Sequence, residues 1–334
     1  MSQSIKTTLK IIGILIVLAI IFVLKDVIGY LLLAFVFASA LRPEVDKLEK
    51  YKIPRVVSTA LISILFISVF IVMMILILPS LISEIQNFAY SIPTYWENWF
   101  HQFEEWTEIS LFGGNIEEII SNALKNLTQG ITSAFGFIFS IFGQIFNILF
   151  ALVVAFYLVV EGKTAERFSD FVFGKNKKSK DKMIRFWDLA ENIVGKWFQG
   201  YVFLGVVVAI MVYIGLSIIG VEHALLLAVL AGFLEIIPWL GPLVSGIFGF
   251  FLALLQGGIP MALLAALVFL IVQQIENFLI VPSVMKNRVN LNPLITLVVI
   301  FIGGIVWGVL GMILSVPISA ILVSFWKEHQ AKSF

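Results

Sequence analysis

Apolar stretches of membrane length recur along the chain, at about residues 8–24, 27–41, 56–79, 134–160, 198–220, 224–257, 260–282 and 293–326, separated by charged or turn-forming residues. This pattern predicts an all-α, polytopic helical membrane protein. The first two runs are short for a hydrocarbon core of about 30 Å and meet at Lys25-Asp26, which predicts a tilted or partly inserted hairpin. Leu9 to Leu24 follows Lys6 and Lys10 as in a signal peptide, but no small-residue cleavage site follows and a second apolar run begins at once. It is expected to be a retained first span.

Two of the runs, 224–257 and 293–326, are too long for one crossing, since a helix through either would measure about 50 Å. Each is interrupted near its middle, the first by Pro238-Trp239-Leu240-Gly241-Pro242 and the second by Gly303-Gly304, Gly308 and Gly311. Proline removes a helix donor and clashes with the preceding turn, and glycine weakens a helix interior. Both runs therefore read as helical hairpins, broken or re-entrant.

Charge fixes their orientation. The loop from Arg42 to Arg55 carries Arg42, Lys47, Lys50, Lys52 and Arg55, and residues 161–196 carry nine Lys or Arg, so both belong to the cytoplasm. Residues 80–133 hold Glu84, Glu97, Glu104, Glu105, Glu108, Glu117 and Glu118 against Lys125 and belong outside. Lys6 and Lys10 put the N-terminus inside, and Lys286, Arg288, Lys327 and Lys332 put the chain inside after the 260–282 run and at the C-terminus. These positions agree only if 224–257 returns to the outside and 293–326 to the inside. A span plus a hairpin, followed by a span plus a hairpin of opposite orientation, is the inverted repeat of many secondary transporters. The expected regions are N-terminal membrane helices at 1–79, an extracytoplasmic amphipathic segment at 80–133, a membrane helix at 134–160, a cytoplasmic amphipathic segment at 161–197, and a C-terminal transport region with both hairpins at 198–334.

The two loops carry helical patterns of their own. Trp96, Trp99, Phe100, Phe103 and Trp106 fall at helical spacing, which suits either the lipid headgroups or packing on protein, and Ile116, Ile119, Ile120, Ala123, Leu124 and Leu127 repeat the pattern. Inside, Met183, Trp187, Ala190, Val194 and Trp197 form one face of a membrane-surface helix leading into the span near Phe198. Its basic residues fix topology and meet anionic lipid; no basic domain accompanies them to suggest nucleic acid.

Composition agrees: 60% of residues are hydrophobic and 13% charged, against about 25% charged in soluble domains. The chain has no cysteine, which excludes disulfides and thiolate metal sites, and His101, His223 and His329 are scattered. No phosphate-binding loop, metalloprotease His pair or nucleophile elbow is present, so ATP hydrolysis of the P-loop kind and an intramembrane enzyme are disfavoured and no cofactor is expected.

Gradient-driven transport is the remaining class, and the candidate pathway lies at the breaks. Glu235 precedes the first break; a carboxylate at membrane depth costs at least about 2.5 kcal/mol and marks a functional group, unless it lies near an interface and hydrates. Gln273, Gln274, Glu276 and Asn277 form a polar cluster that either contacts substrate or glues helices together. With Pro238, Gly241, Pro242, Gly304 and Gly308 these are the candidate substrate or ion-pathway residues, Glu235 and Glu276 being able to take a proton or coordinate a cation. Asn292-Pro293 reads as an N-cap followed by a first-turn proline, Pro282 as the end of its span and Pro317 as a kink.

The stretch Gly232-Phe-Leu-Glu-Ile-Ile-Pro238-Trp-Leu-Gly241-Pro242, the stretch from Gln274-Ile-Glu-Asn-Phe-Leu-Ile-Val-Pro282 to Asn292-Pro293, and the glycine-rich tail from Gly311 to Pro317 together resemble the autoinducer-2 exporter (AI-2E, PerM-like) family. The resemblance covers nearly the whole chain. It implies a bacterial inner-membrane protein and a homo-oligomer, a pentamer. It also implies either export of autoinducer-2, the quorum-sensing signal, or sodium or lithium/proton antiport, which the motifs do not separate. The expected function is thus export of a small polar solute or signal, with cation/proton antiport and a non-transporting membrane scaffold as alternatives; the expected partners are membrane lipid and a small polar solute or a monovalent cation and proton.

Overall fold

The computed structural model describes residues 12, 16, 19–20, 22–73, 75, 79–80, 83, 129, 133, 136, 143–174, 176–238, 240–285 and 293–331. The predicted outer helices around Trp96–Trp106 and Ile116–Leu127, the basic pair Lys286 and Arg288, and the Asn292 cap lie outside the described residues. All regular structure among the described residues is helical. The helices are α1 (Lys25–Lys50), α2 (Arg55–Met73), α3 (Ile145–Glu161), α4 (Thr164–Phe173), α5 (Lys177–Ile218), α6 (Ala224–Leu234), α7 (Leu240–Ile275), α8 (Val281–Met285) and α9 (Pro293–Ala331), with a π-helical turn, Glu276–Ile280, between α7 and α8. Five helices are long and apolar enough to cross a membrane, or up to six if the bent α3–α4 pair is one span. The protein is a multi-pass membrane protein.

The chain forms two compact units, one from residues 1–63, 144–198 and 287–334 and the other from 64–143 and 199–286. In the first, α1 and α3 run side by side in the same direction. At one end Tyr30 donates to Gln144 Oε1 at 3.1 Å and accepts from Asn147 Nδ2 at 2.7 Å; at the other, Arg42 donates to the Leu158 carbonyl at 3.2 Å and Arg55 to the Val159 carbonyl at 2.8 Å. Between the two ends lie Ala34 and Ala38 of α1 and Ala151 and Ala155 of α3, all buried. Small residues one turn apart let apolar helices approach closely, which drives association where lipid removes the hydrophobic effect between helices. The two arginines satisfy carbonyls that the end of α3 leaves without helical donors.

The amphipathic start of α5 completes this end. Its apolar face packs on α1, with the Trp187 and Phe35 rings 5.1 Å apart, while Lys182, Arg185, Asp188 and Lys196 are exposed. Pro43 deprives the Ser39 carbonyl of its helical donor, and Gly195 packs on that carbonyl; a Cβ at 195 would lie 2.5 Å from Ser39 O. Arg42 pairs with Glu191. Burial pushes the Glu191 carboxyl above the usual carboxylate range, and the Arg42 guanidinium opposes that shift. Arg42→Ala should therefore cost about 2 kcal/mol of stability. A group whose folded pKa is raised loses stability as pH rises through that value, so thermal melts in detergent should show the Arg42→Ala deficit shrinking on acidification.

The α9 run is a hairpin. Trp307 (φ −132°, ψ 16°) and Gly308 (φ +60°, ψ −137°) leave helical geometry, and the latter conformation is one that glycine adopts without strain. On either side of this turn the backbones of Gly303 and Gly311 meet so closely that neither could carry a Cβ. Trp307 Nε1 donates to the Lys25 carbonyl at 2.9 Å, and Phe325 meets Phe186 of α5 with ring centroids 5.3 Å apart. The hairpin tip thus sits at the Lys25 end of α1, and the final arm returns towards the start of α5.

In the second unit, α5 from residue 199 onward is followed by a turn at Gly220, then α6, a turn at 235–238, and α7. Gln256 ties the end of α7's first arm back to the start of α6, donating to the Gly220 carbonyl at 2.8 Å and accepting from the Glu222 amide at 3.0 Å. The chain therefore enters and leaves the α6–α7 hairpin on one side. With 11 residues, α6 is about 16 Å long, about half the hydrocarbon thickness, so this hairpin is re-entrant. Gly257 and Gly258 (φ +70°, ψ −165°) then break α7 ahead of Pro260, where the second arm begins. That arm folds back on the first, with Phe269 filling the space beside Gly246 and Gly249.

Candidate functional site

The tip of the re-entrant hairpin is built for close contact. A Cβ at Gly241 would lie 2.7 Å from the Ala231 carbonyl oxygen and 2.8 Å from Glu235 Oε2, so the start of α7 lies directly against the end of α6 and its carboxylate. Pro242 falls in the first turn of α7, where its missing N–H breaks no helical bond. It is buried, and Pro238 in the turn is half-buried. On the other side, Gly205 of α5 meets Gly232 of α6 backbone to backbone, beside Ala209. This spacing of small residues at 205 and 209 is a helix-contact signature. Tyr201, four residues before Gly205, shares its face.

Glu235 ends α6 and is 1% exposed; Glu276 opens the π-helical turn and is 3% exposed. Forty-one positions apart in sequence, their side chains are in contact, with the Tyr201 phenol close enough to interact with both. Gln273 Nε2 donates to Glu276 Oε2 at 3.4 Å, and Ser245, one turn after Gly241, donates to the Gly241 carbonyl at 2.5 Å. With both carboxylates ionised, neither offers a donor, and both oxygens of Glu235 are buried without a partner. One proton between the two carboxyls would join them through a single O–H···O hydrogen bond and remove one of the two charges. The cluster can accordingly hold a proton away from bulk water or, deprotonated, present several hard oxygens to a cation.

Of the sequence candidates, the structure brings Glu235, Gly241, Pro242, Gln273 and Glu276 into this second unit's core. Gln274 and Asn277 are exposed on the same stretch of chain. The π turn, which adds a residue to one helical turn, is where Glu276 is set inward and Asn277 outward. Gly304 and Gly308 belong to the α9 hairpin of the first unit, the one beside Met312 and the other at its turn. Tyr201 and the Gly205–Gly232 contact were missed from sequence. The readable signal was the Tyr201, Gly205, Ala209 spacing on one face of an apolar helix. Among the described residues no group of three or more His, Asp or Glu could hold a metal ion.

Residues 11–330 match the profile of the AI-2E family transporters. The chain belongs to the AI-2E transporter family. Among its relatives is YueF of Bacillus subtilis (strain 168), provisionally named a transport protein, which is 28% identical over 316 residues, covering 89% of this chain and 82% of that protein. PerM of Escherichia coli (strain K12), provisionally named a permease, is 24% identical over 333 residues, 93% of this chain and 90% of its own. MT0215 of Mycobacterium tuberculosis, again provisionally named a transport protein, is 28% identical over 294 residues, 86% and 78% of the two chains. The AI-2E chain described here is thus a membrane transport protein, and the contact between Glu235 and Glu276 is the chemically distinctive feature of its second unit.

Proposed function

We propose that this AI-2E family member is a secondary transporter of a bacterial inner membrane that exports a small polar solute, an autoinducer-2-like signal, with Glu235 and Glu276 as its proton-coupling pair. The chain's basic loops favour cytoplasmic termini, and its family suggests a homo-oligomer. The observation that carries the reading is the buried carboxyl–carboxyl contact at the tip of a re-entrant hairpin. Intramembrane carboxylates that face one another are unstable as a charged pair and mark ion or proton pathways. A re-entrant tip at half-depth is where a solute entering from one side would reach them. The same pair favours a second reading, sodium or lithium/proton antiport, because the deprotonated pair is an oxygen site for a hard cation.

Proteoliposomes of the wild-type protein, loaded with a pH dye, separate the readings. Under an imposed pH gradient the first reading expects accumulation of added autoinducer-2 with proton movement, and no dye response to sodium alone. The second expects a dye response to a sodium pulse without any organic solute. A protein that moves protons under neither condition would sink the coupling assignment.

A further inference from the structure

Where α3 ends, the chain turns through 89° at Gly162 and Lys163 and continues as α4, a helix of 10 residues. α3 is apolar along its length and ends at Glu161; if α3 crosses the membrane, the right-angle turn sets α4 parallel to the membrane surface at the level of the headgroups. The circumference of α4 divides in three. Ala165 and Ser169, one turn apart, are buried. At 100° per residue, Phe168, Phe171 and Val172 form one flank and Glu166 and Asp170 the opposite one. The apolar flank is largely open: Phe168, whose ring centroid lies 6.3 Å from that of Trp187, is 45% exposed, Val172 49% and Phe171 89%. Three cations near the two ends of α4, Lys163, Lys177 and Lys178, are exposed and form no ion pair among the described residues, whereas Arg167 pairs with Glu161 and Lys180 with Asp170.

We propose that α4 is an interfacial anchor: Phe168, Phe171 and Val172 insert at the boundary of acyl chains and headgroups in the leaflet that α3 reaches at Glu161, while Lys163, Lys177 and Lys178 bind anionic headgroups. The partition of one flank into aromatic and aliphatic side chains and the other into carboxylates is the division that an interface, with lipid on one side and water on the other, selects. Charge complementarity commits the occupant to anionic lipid, since lysines beside an apolar strip are what a negatively charged leaflet attracts. A second copy of the chain seated on Phe171 would leave those lysines without a role.

The natural absence of cysteine makes the test direct. Phe171→Cys and Glu166→Cys, each spin-labelled in the full-length chain, are reconstituted in vesicles of phosphatidylcholine with and without phosphatidylglycerol, and collisional relaxation by oxygen and by a water-soluble nickel chelate is compared. With phosphatidylglycerol, position 171 should be relaxed more by oxygen than by nickel and position 166 the reverse. Replacing Lys163, Lys177 and Lys178 together with glutamine should cancel the change at 171 that phosphatidylglycerol produces. Equal nickel access at both positions overturns insertion. Protection of 171 from both reagents, with dipolar broadening between labels, overturns it in favour of a second copy. An oxygen preference at 171 that is identical in both lipid mixtures overturns the assignment of anionic lipid.

Discussion

Glu235→Gln and Glu276→Gln should each lower gradient-driven flux in proteoliposomes by about 100-fold or more, the usual scale for losing a positioned proton-transfer group. The double variant should be no worse than either single one. The reason is geometric: the two carboxyls are in contact, so a proton held between them would lose its site with either replacement. Both variants should melt at or slightly above the wild-type temperature in detergent, because glutamine keeps the shape of the side chain and removes a charge whose burial is unfavourable. Loss of flux together with collapse of the melt would assign the pair to structure instead. Additive losses, with the double variant far below the singles, would mean that the two carboxyls act at separate steps.

Gly303→Leu should prevent the α9 hairpin from closing. Any side chain at 303 must share space with the Gly311 backbone and with Ser315 Oγ, and backbone held in two helices cannot move aside. Overpacking of this kind costs about 1–3 kcal/mol, more where backbone is the obstacle. The neighbouring glycines rank below it. At Gly308 nothing crowds a Cβ, but φ is +60° with ψ −137°, so Gly308→Ala should cost about 1–3 kcal/mol through backbone strain alone. At Gly304 a Cβ meets the flexible end of Met312 at 2.7 Å, and Gly304→Ala should be tolerated. Size-exclusion profiles and thermal melts in detergent should give the order 303, then 308, then 304. If 304 proved worse than 303, the close approach of the two arms would be wrong.

Much of this architecture is visible in the sequence because lipid makes its rules strict. A backbone in hydrocarbon must be helical, so Pro and Gly inside an apolar run mark breaks that only surrounding protein or water can tolerate. The break expected between Gly303 and Gly311 falls at Trp307-Gly308, the boundary expected between 257 and 260 falls at Gly257-Gly258, and the first hairpin turns between Leu234 and Leu240. Counting basic residues required each hairpin to enter and leave on one side, and Gln256 beside Gly220 shows this for the first.

The site was only half legible. Glu235 and Glu276 each stood out as carboxyls in apolar surroundings, but nothing in a spacing of 41 positions says that they touch. That contact depends on the Gly258 reversal, which folds the second arm of α7 back on the first, and on the π turn, which no residue pattern announces. Gln256 sits inside the apolar run 224–257, and only the fold shows it as the clasp of the hairpin. The apolar flank of α4 was hidden by its neighbours, because Phe168, Phe171 and Val172 take on meaning only once the chain is seen to turn at right angles to α3.

The coupling role of the carboxyl pair is tested most directly by asking whether Glu276→Gln separates exchange from accumulation. Vesicles containing wild-type or variant protein would be given labelled autoinducer-2, first on both sides at equal concentration, then on one side with an opposing pH gradient. The account predicts that the variant still exchanges the label at equilibrium but no longer accumulates it against the gradient. Accumulation at the wild-type rate in Glu276→Gln would contradict it.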